Sequence, residues 1–377
     1  MQGFTVIDLV ILIVYLAAVL FAGLHFAKKE MKGKEYFKSD GTVPWWVTSV
    51  SIFATLLSPI SFLSLAGNSY AGTWIMWFAQ LGMLLAIPVT IKFFLPIYSK
   101  LDIDTAYHYL ELRFNSKGLR VLGAVMFIIY QIGRMSIIMY LPCMVLSSLM
   151  GVNVNILIII MGVIAIIYSY TGGLKSVLWT DFIQGSVLLI GVTFAVIFLI
   201  AHIDGGMGAV MDSLTAGHKF LAPDEPIFNI NILKNSVFLM IVGAGFNTMG
   251  SYVSSQDIVQ RFTTTTDTKK LNKMMLANGG LSIFIATAFY LIGTALYVFY
   301  QVQGNPLPPA AQQDQIFASW IAFELPVGVT GLLLAAIYAA AQSTLSTGLN
   351  SVASSWTLDI QERLSRKQLS FETQTKI

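Results

Sequence analysis

Chemistry first shows in this sequence at an acid set inside an apolar run. Asp181 lies in Leu178-Trp179-Thr180-Asp181-Phe182-Ile183-Gln184. A carboxylate at the centre of a bilayer costs about 2.5–3.5 kcal/mol on insertion scales, so one that stays there is a candidate to bind an ion. The competing roles are a structural pair with Lys175 and a reach back to the interface. Arg134 is the corresponding base, in Tyr130-Gln131-Ile132-Gly133-Arg134-Met135-Ser136. Its planar fork fits a carboxylate bidentately, and it cannot shed its proton to escape burial. A permanent Arg134–Asp181 ion pair is the rival reading and would leave neither residue free. A third feature is polar but uncharged. Ser343, Ser346, Thr347 and Asn350 form one stripe at helical spacing, with Thr344 at its edge. Isolated hydroxyls in such helices bond back to the carbonyl four residues earlier. A whole stripe of them implies a surface that faces polar partners, and oxygen ligands suit a small hard cation such as sodium.

Two stretches should interrupt the helices that carry or face these residues. One is Phe53-Ala54-Thr55-Leu56-Leu57-Ser58-Pro59-Ile60-Ser61-Phe62, and the other is Ile241-Val242-Gly243-Ala244-Gly245-Phe246-Asn247-Thr248. In lipid every backbone polar group needs a partner, so a mid-span break leaves amides and carbonyls to be satisfied by something else. Paired breaks at corresponding places in two halves point to an inverted-repeat transporter with its site at mid-membrane. Simple kinks are the alternative, since Pro and Gly are frequent in membrane helices.

The positioning elements follow from composition. Of 377 residues, 56% are hydrophobic and 11% charged, and the mean hydropathy is +0.73. Soluble domains carry roughly a quarter charged residues. Apolar runs of span length occur near 4–27, 44–65, 74–98, 119–150, 152–170, 176–202, 235–254, 276–302 and 327–356, which predicts nine transmembrane helices. The first of them lacks the basic start of a cleavable signal. Among the 22 lysines and arginines, Arg134 falls inside a span, and Lys219 and Lys234 lie in the loop after the sixth. The others gather in alternate connections or at their edges: Lys28, Lys29, Lys32, Lys34 and Lys38; Lys92, Lys100, Arg113, Lys117 and Arg120; Lys175; Arg261, Lys269, Lys270 and Lys273; and Arg363, Arg366, Lys367 and Lys376. The positive-inside rule then places the N-terminus outside and the C-terminus of this chain in the cytoplasm.

Several functions are disfavoured on the same page. The one cysteine, Cys143, excludes a disulfide framework. His25, His108, His202 and His218 are scattered, without metal-ligand spacing. No GxxxxGK[ST] loop is present for an ATP-driven pump. No basic-aromatic surface suggests nucleic acid, and nothing points to an obligate protein partner. An intramembrane enzyme would need a metal triad or a nucleophile beside a base. A channel would want rings of charge along a continuous polar path, whereas these polar residues gather at one level. A sensor would need an appended signalling domain.

At these residues the sequence resembles the solute:sodium symporter family, and within it the bacterial sodium/sialic acid symporters. The motifs are Tyr170-Thr171-Gly172-Gly173-Leu174-Lys175 leading to Trp179-Thr180-Asp181 and Gln184; Ser255-Gln256-Asp257 with Gln260-Arg261; and Ala339-Ala340-Ala341-Gln342-Ser343-Thr344 with Leu349-Asn350-Ser351. The resemblance implies an all-α polytopic membrane protein with the LeuT-like fold of two inverted five-helix repeats. Residues 1–43 would hold an extra N-terminal helix and loop, 44–202 the first repeat and 203–377 an incomplete second repeat, all one transporter domain in a bacterial cell membrane. It implies a first sodium site at the carbonyls of Ala54, Leu57 and Ala340 with the hydroxyls of Ser343 and Thr344. It implies a second at Asp181, Ser346 and Thr347, with Ser343 nearby. The carboxylate of a sialic acid would meet Arg134 with Ser58 and Ser61, and Phe78, Gln80, Phe246 and Asn247 would line the sugar. Leu56 and Pro59 depart from the hydroxyl-bearing pattern of the sialic acid subgroup. The expected activity is sodium-coupled uptake of sialic acid, with a uronate, an amino acid or a monocarboxylate as alternative cargo.

Overall fold

The computed structural model describes residues 4–26, 34–39, 41–101, 103–231, 235–307 and 315–365. Lys28, Lys29, Lys32, Lys234, Arg366, Lys367 and Lys376 of the charge pattern lie outside the described residues. In chain order the helices are α1 (Val6–Phe26), α2 (Lys34–Lys38), α3 (Trp45–Leu56), α4 (Pro59–Ala71), α5 (Ala79–Val89), α6 (Leu95–Lys100), α7 (His108–Phe114), α8 (Lys117–Met150), α9 (Val154–Ala201), α10 (Gly206–Thr215), α11 (Val237–Ser254), α12 (Gln256–Phe262), α13 (Thr268–Tyr297), α14 (Ile316–Phe323), α15 (Val329–Ser354) and α16 (Glu362–Leu364). No strand occurs among the described residues.

Among the described residues seven helices are long and apolar enough to cross a membrane, and α3 with α4, bent by 64°, makes an eighth if the pair is one span. The ninth is hidden in α9. Its 48 residues would stretch about 70 Å at 1.5 Å per residue, more than twice the ~30 Å hydrocarbon layer. The backbone leaves helical geometry at Gly173 (φ 54, ψ −152), dividing the helix where the sequence places two separate spans. A β-carbon at Gly173 would lie 2.5 Å from the Tyr36 carbonyl oxygen, so a larger residue is excluded by both conformation and space. The Tyr36 hydroxyl donates to the carbonyls of Ser169 (3.2 Å) and Tyr170 (2.7 Å), satisfying acceptors that the break exposes.

The break expected at 53–62 is present. Helix α3 ends at Leu56, the chain runs extended through Leu57 (φ −86, ψ 110) and Ser58 (φ −93, ψ 158), and α4 restarts at Pro59. Proline has no N–H to give and its ring suits a helix start, which explains both the stop and the restart. The break expected at the glycines of the seventh span is not there. Helix α11 runs unbroken through Gly243 and Gly245 to Ser254 and breaks at Ser255 (φ −85, ψ 119). Gly245 serves packing instead. A β-carbon on Gly82 of α5 would fall 2.0 Å from the Ile241 carbonyl and 2.7 Å from the Gly245 amide. These glycines let two backbones touch, as small residues do where membrane helices cross.

Helix α15 is the centre of the bundle. Within its span, Val329–Leu364, 89% of the most apolar window is buried, against 11% for α11. It packs along α9, α8, α1 and α3. Its small residues permit this closeness: a β-carbon on Gly191 of α9 would lie 2.9 Å from that of Ala336. The polar stripe of α15 therefore faces protein on every side.

Candidate transport site

The broken helix creates the first cluster. Pro59 removes one donor and the extended Leu57–Ser58 link removes the regular i+4 pairing, so the last carbonyls of α3 point away from their own helix. Thr344 on α15 meets this end. Its hydroxyl lies 3.5 Å from the Leu57 carbonyl and 3.0 Å from the Ala340 carbonyl. Ala54, Leu57 and Ala340 line one small crevice, together with Gln184. The Gln184 Oε1 acceptor is buried there without a hydrogen-bond partner among the described residues. The Thr344 hydroxyl within 3.5 Å of the Leu57 and Ala340 carbonyls brings together oxygen atoms of the kind a hard monovalent cation takes at a helix break. Ser343, expected in this set, gives its hydroxyl to Asp181 at 2.9 Å and so stands between the two clusters.

Asp181 organises the second cluster. Its Oδ2 accepts from Ser51 (2.6 Å), Arg261 Nη2 (2.7 Å) and Thr347 (3.2 Å), and its Oδ1 from Ser343 (2.9 Å) and Ser346 (3.4 Å). Ser343, Ser346 and Thr347 are thus gathered around Asp181. Neither Lys175 nor Arg134 is the partner of this acid. Lys175 donates to Thr42 at 2.7 Å, and the ion pair of Asp181 is with Arg261, both side chains fully buried. Arg261 was placed by the charge pattern in a connection, and Arg120 at the edge of one. Arg120 is likewise fully buried, paired with Asp359 at 2.6 Å and Glu111 at 2.9 Å. A guanidinium next to several lysines in sequence reads as a loop residue, yet Arg261 reaches partners on α3, α9 and α15.

Arg134 lies one turn beyond Tyr130 on α8. Its Nη1 donates to Asp257 Oδ2 at 2.8 Å and its Nη2 to the Thr55 carbonyl at 3.0 Å. Its side chain keeps 20% of its surface open, while that of Asp257 keeps 1%. Beside it, α8 and α11 wall a cleft of about 620 Å³ that includes Tyr130, Phe246, Asn247 and Ser255, a size suited to a small solute. Ser58 and Ser61 sit at the restart of α4, where the Ser58 hydroxyl caps the Ser61 amide at 3.2 Å and the two hydroxyls are 3.2 Å apart. Phe78 packs edge-on to Trp77 and Phe220 at the opposite end of the bundle from the basic connections. Gln80 opens α5 and is half-buried. Phe246 and Asn247 thus line the cleft, Arg134 follows its wall residue Tyr130 by one turn, Ser58 and Ser61 sit at the helix break, and Phe78 and Gln80 lie at the start of α5. Asp257, Arg261, Ser51 and Thr55 belong to the same network and had no assigned role in the sequence. Only the Ser255-Gln256-Asp257 and Gln260-Arg261 motif marked two of them.

Residues 36–377 match the sequence profile of the sodium:solute symporter family. The chain belongs to this family. It is 34% identical over all of its length, and 75% of the relative's, to a sodium/sialic acid symporter of Proteus mirabilis. A sodium/sialic acid symporter of Aliivibrio fischeri is 31% identical across 98% of this chain and 72% of its own. A solved substrate-bound, outward-open sodium-coupled sialic acid symporter superposes with a TM-score of 0.92 at 34% identity, covering 99% of this chain and 78% of that one. The symporter family fixes sodium as the coupling ion and transport as the class of activity, and the protein is multi-pass and all-helical.

Proposed function

We infer that this symporter couples sodium to the entry of a sialic acid. The observation that carries the reading is a guanidinium inside the membrane domain, Arg134, one turn from the Tyr130 that lines a cleft of solute size, in a chain that matches sialic acid symporters over 98–100% of its own length. A carboxylated sugar supplies the planar anion that such a fork recognises. In this reading Arg134, Ser58 and Ser61 hold the carboxylate, while Phe78, Gln80, Phe246 and Asn247 line the sugar. One sodium takes the carbonyls of Ala54, Leu57 and Ala340 with Ser343 and Thr344. A second takes Asp181, Ser346 and Thr347.

Access alternates between the two sides of a bacterial cell membrane, with inverted repeats in 44–202 and 203–377 and the extra helix of 1–43 in front. The N-terminus is outside and the basic connections face the cytoplasm. The test is thermal stabilisation of the purified protein by sialic acids, uronates, amino acids, monocarboxylates and neutral sugars, each in sodium and in potassium. Stabilisation by a sialic acid in sodium alone supports the reading. Stabilisation by a neutral sugar that persists in Arg134→Ala refutes an anionic cargo.

A further inference from the structure

Helix α12 is seven residues long, and all seven are buried. Its polar side chains tie α15 to several other elements. Gln256 accepts from the Ala106 amide at 2.7 Å and donates to Ser354 at 3.3 Å. Gln260 donates to the Phe37 carbonyl and to Asn350 at 2.7 and 2.8 Å. The two charged residues, one turn apart, pair with the two residues on which the cargo's charges would settle. Asp257 holds Arg134, and Arg261 holds Asp181. The two ends are joined, because Arg261 Nη1 donates to the Asp257 backbone carbonyl. They are joined a second time through Thr55, whose carbonyl accepts from Arg134 and whose hydroxyl lies 3.2 Å from that of Thr347.

We propose that α12 is an internal stand-in for the cargo, with the Asp257 carboxylate taking the place of the substrate's anion on Arg134 and the Arg261 guanidinium taking the place of sodium at Asp181. This rests on the assignment of Arg134 and Asp181 given above. Its physical basis is that a buried charge left unpaired is far costlier than one exchanged between partners. The empty carrier keeps both binding charges neutralised, and in the loaded carrier the displaced Asp257 and Arg261, one turn apart on α12, neutralise each other. The geometry favours exchange at the substrate end. Arg134 engages Asp257 through Nη1 and gives Nη2 to a carbonyl, which a bidentate substrate carboxylate improves upon. Arg134 keeps 20% of its side-chain surface open, which gives that carboxylate a way in. Because one short helix carries both stand-ins, displacing either loosens its grip on the other, and this makes sodium and substrate binding mutually favourable.

Asp257→Asn keeps the side chain's shape and removes the competing charge. In sodium-free buffer this variant is expected to bind sialic acid about tenfold tighter than the parent, the scale of one charge-assisted hydrogen bond released. The factor by which sodium improves that affinity should shrink correspondingly. A second measurement uses the parent alone. Amide hydrogen exchange across 256–262 should rise when sodium and sialic acid bind, while exchange in α15 falls. Unchanged or weaker sodium-free binding in a folded Asp257→Asn, or added protection of 256–262 in the liganded parent, overturns the proposal and leaves the symport reading intact. A parent protein that binds no sialic acid in sodium overturns the symport reading itself.

Discussion

Asp181→Asn separates two jobs of one carboxylate, its ion pair with Arg261 and the sodium binding proposed above. The substitution keeps the shape but leaves Arg261, fully buried, facing a neutral amide. Removing one member of a buried pair typically costs about 3–5 kcal/mol, because the remaining charge is uncompensated. Adding Arg261→Gln removes that charge, so the double variant should recover most of the lost thermal stability, with a non-additive term above about 1 kcal/mol. The charge moved per substrate should not recover. With two sodium ions and a monoanion, each cycle carries one positive charge inward, worth about 2.3 kcal/mol per 100 mV. A tenfold gradient of the second sodium adds about 1.4 kcal/mol. Loss of both amounts to roughly 500-fold in the accumulation that can be sustained. The assay is uptake into reconstituted vesicles at −100 mV with a tenfold sodium gradient, recording accumulation, current and the order in sodium. The parent is expected to show an inward current and an order above one. Both variants should be electroneutral and first order. A parent that is itself electroneutral and first order, or a double variant that keeps the current, would make Asp181 a structural residue only.

Three further outcomes are expected. Arg134→Ala should abolish sialic acid binding in a protein that still folds, and Arg134→Lys should lose at least about 100-fold in affinity, since a point charge does not reproduce two parallel hydrogen bonds; isothermal calorimetry decides both. Ser343→Ala or Thr344→Ala should weaken sodium binding, and the factor by which sodium strengthens substrate binding should equal the factor by which substrate strengthens sodium binding, because coupling between two ligands is reciprocal; titrating each ligand at several levels of the other checks it. Lys219, in the loop after α10, donates to the carbonyls of Ser69, Tyr70 and Gly72 at the end of α4 at 3.3, 2.7 and 2.9 Å and lies over the Tyr297 ring, and burial pushes its pKa down to about 8. An unfolded lysine titrates near ~10.4, so the unfolded state binds more protons between those values and stability rises with pH across that window; in melts from pH 7.5 to 10 the advantage of the parent over Lys219→Met should grow with pH, and a constant gap would refute the assignment.

The features that were legible in the sequence are those that hydrocarbon penalises. A charge among leucines and phenylalanines, as at Asp181 and Arg134, contrasts with its own neighbours. So does the Ser58-Pro59 pair in an apolar span, and the expectation of nine crossings follows from length alone. What stayed hidden was chosen by partners distant along the chain. Arg261 stands beside threonines and lysines and looks like a membrane exit, yet its carboxylate partner is 80 residues away in α9. The glycines of α11 look like a break, but the role of Gly245 depends on Gly82 in α5, which no local window contains. The true break at Ser255 is masked for the same reason: Ser255-Gln256-Asp257 is polar enough to pass for a loop. Its polarity is instead the mark of a helix whose polar side chains meet polar partners, while Ile258, Val259 and Phe262 pack into an apolar cluster. In this bundle the burial of α12 and the burial of the α15 stripe explain each other, because Asn350, Thr347 and Ser354 supply the partners that Gln260, Arg261 and Gln256 require. A polar segment next to a predicted span is therefore better judged by whether another span offers a matching stripe than by its own hydropathy. Here the matching stripe is the one that first pointed to a sodium site.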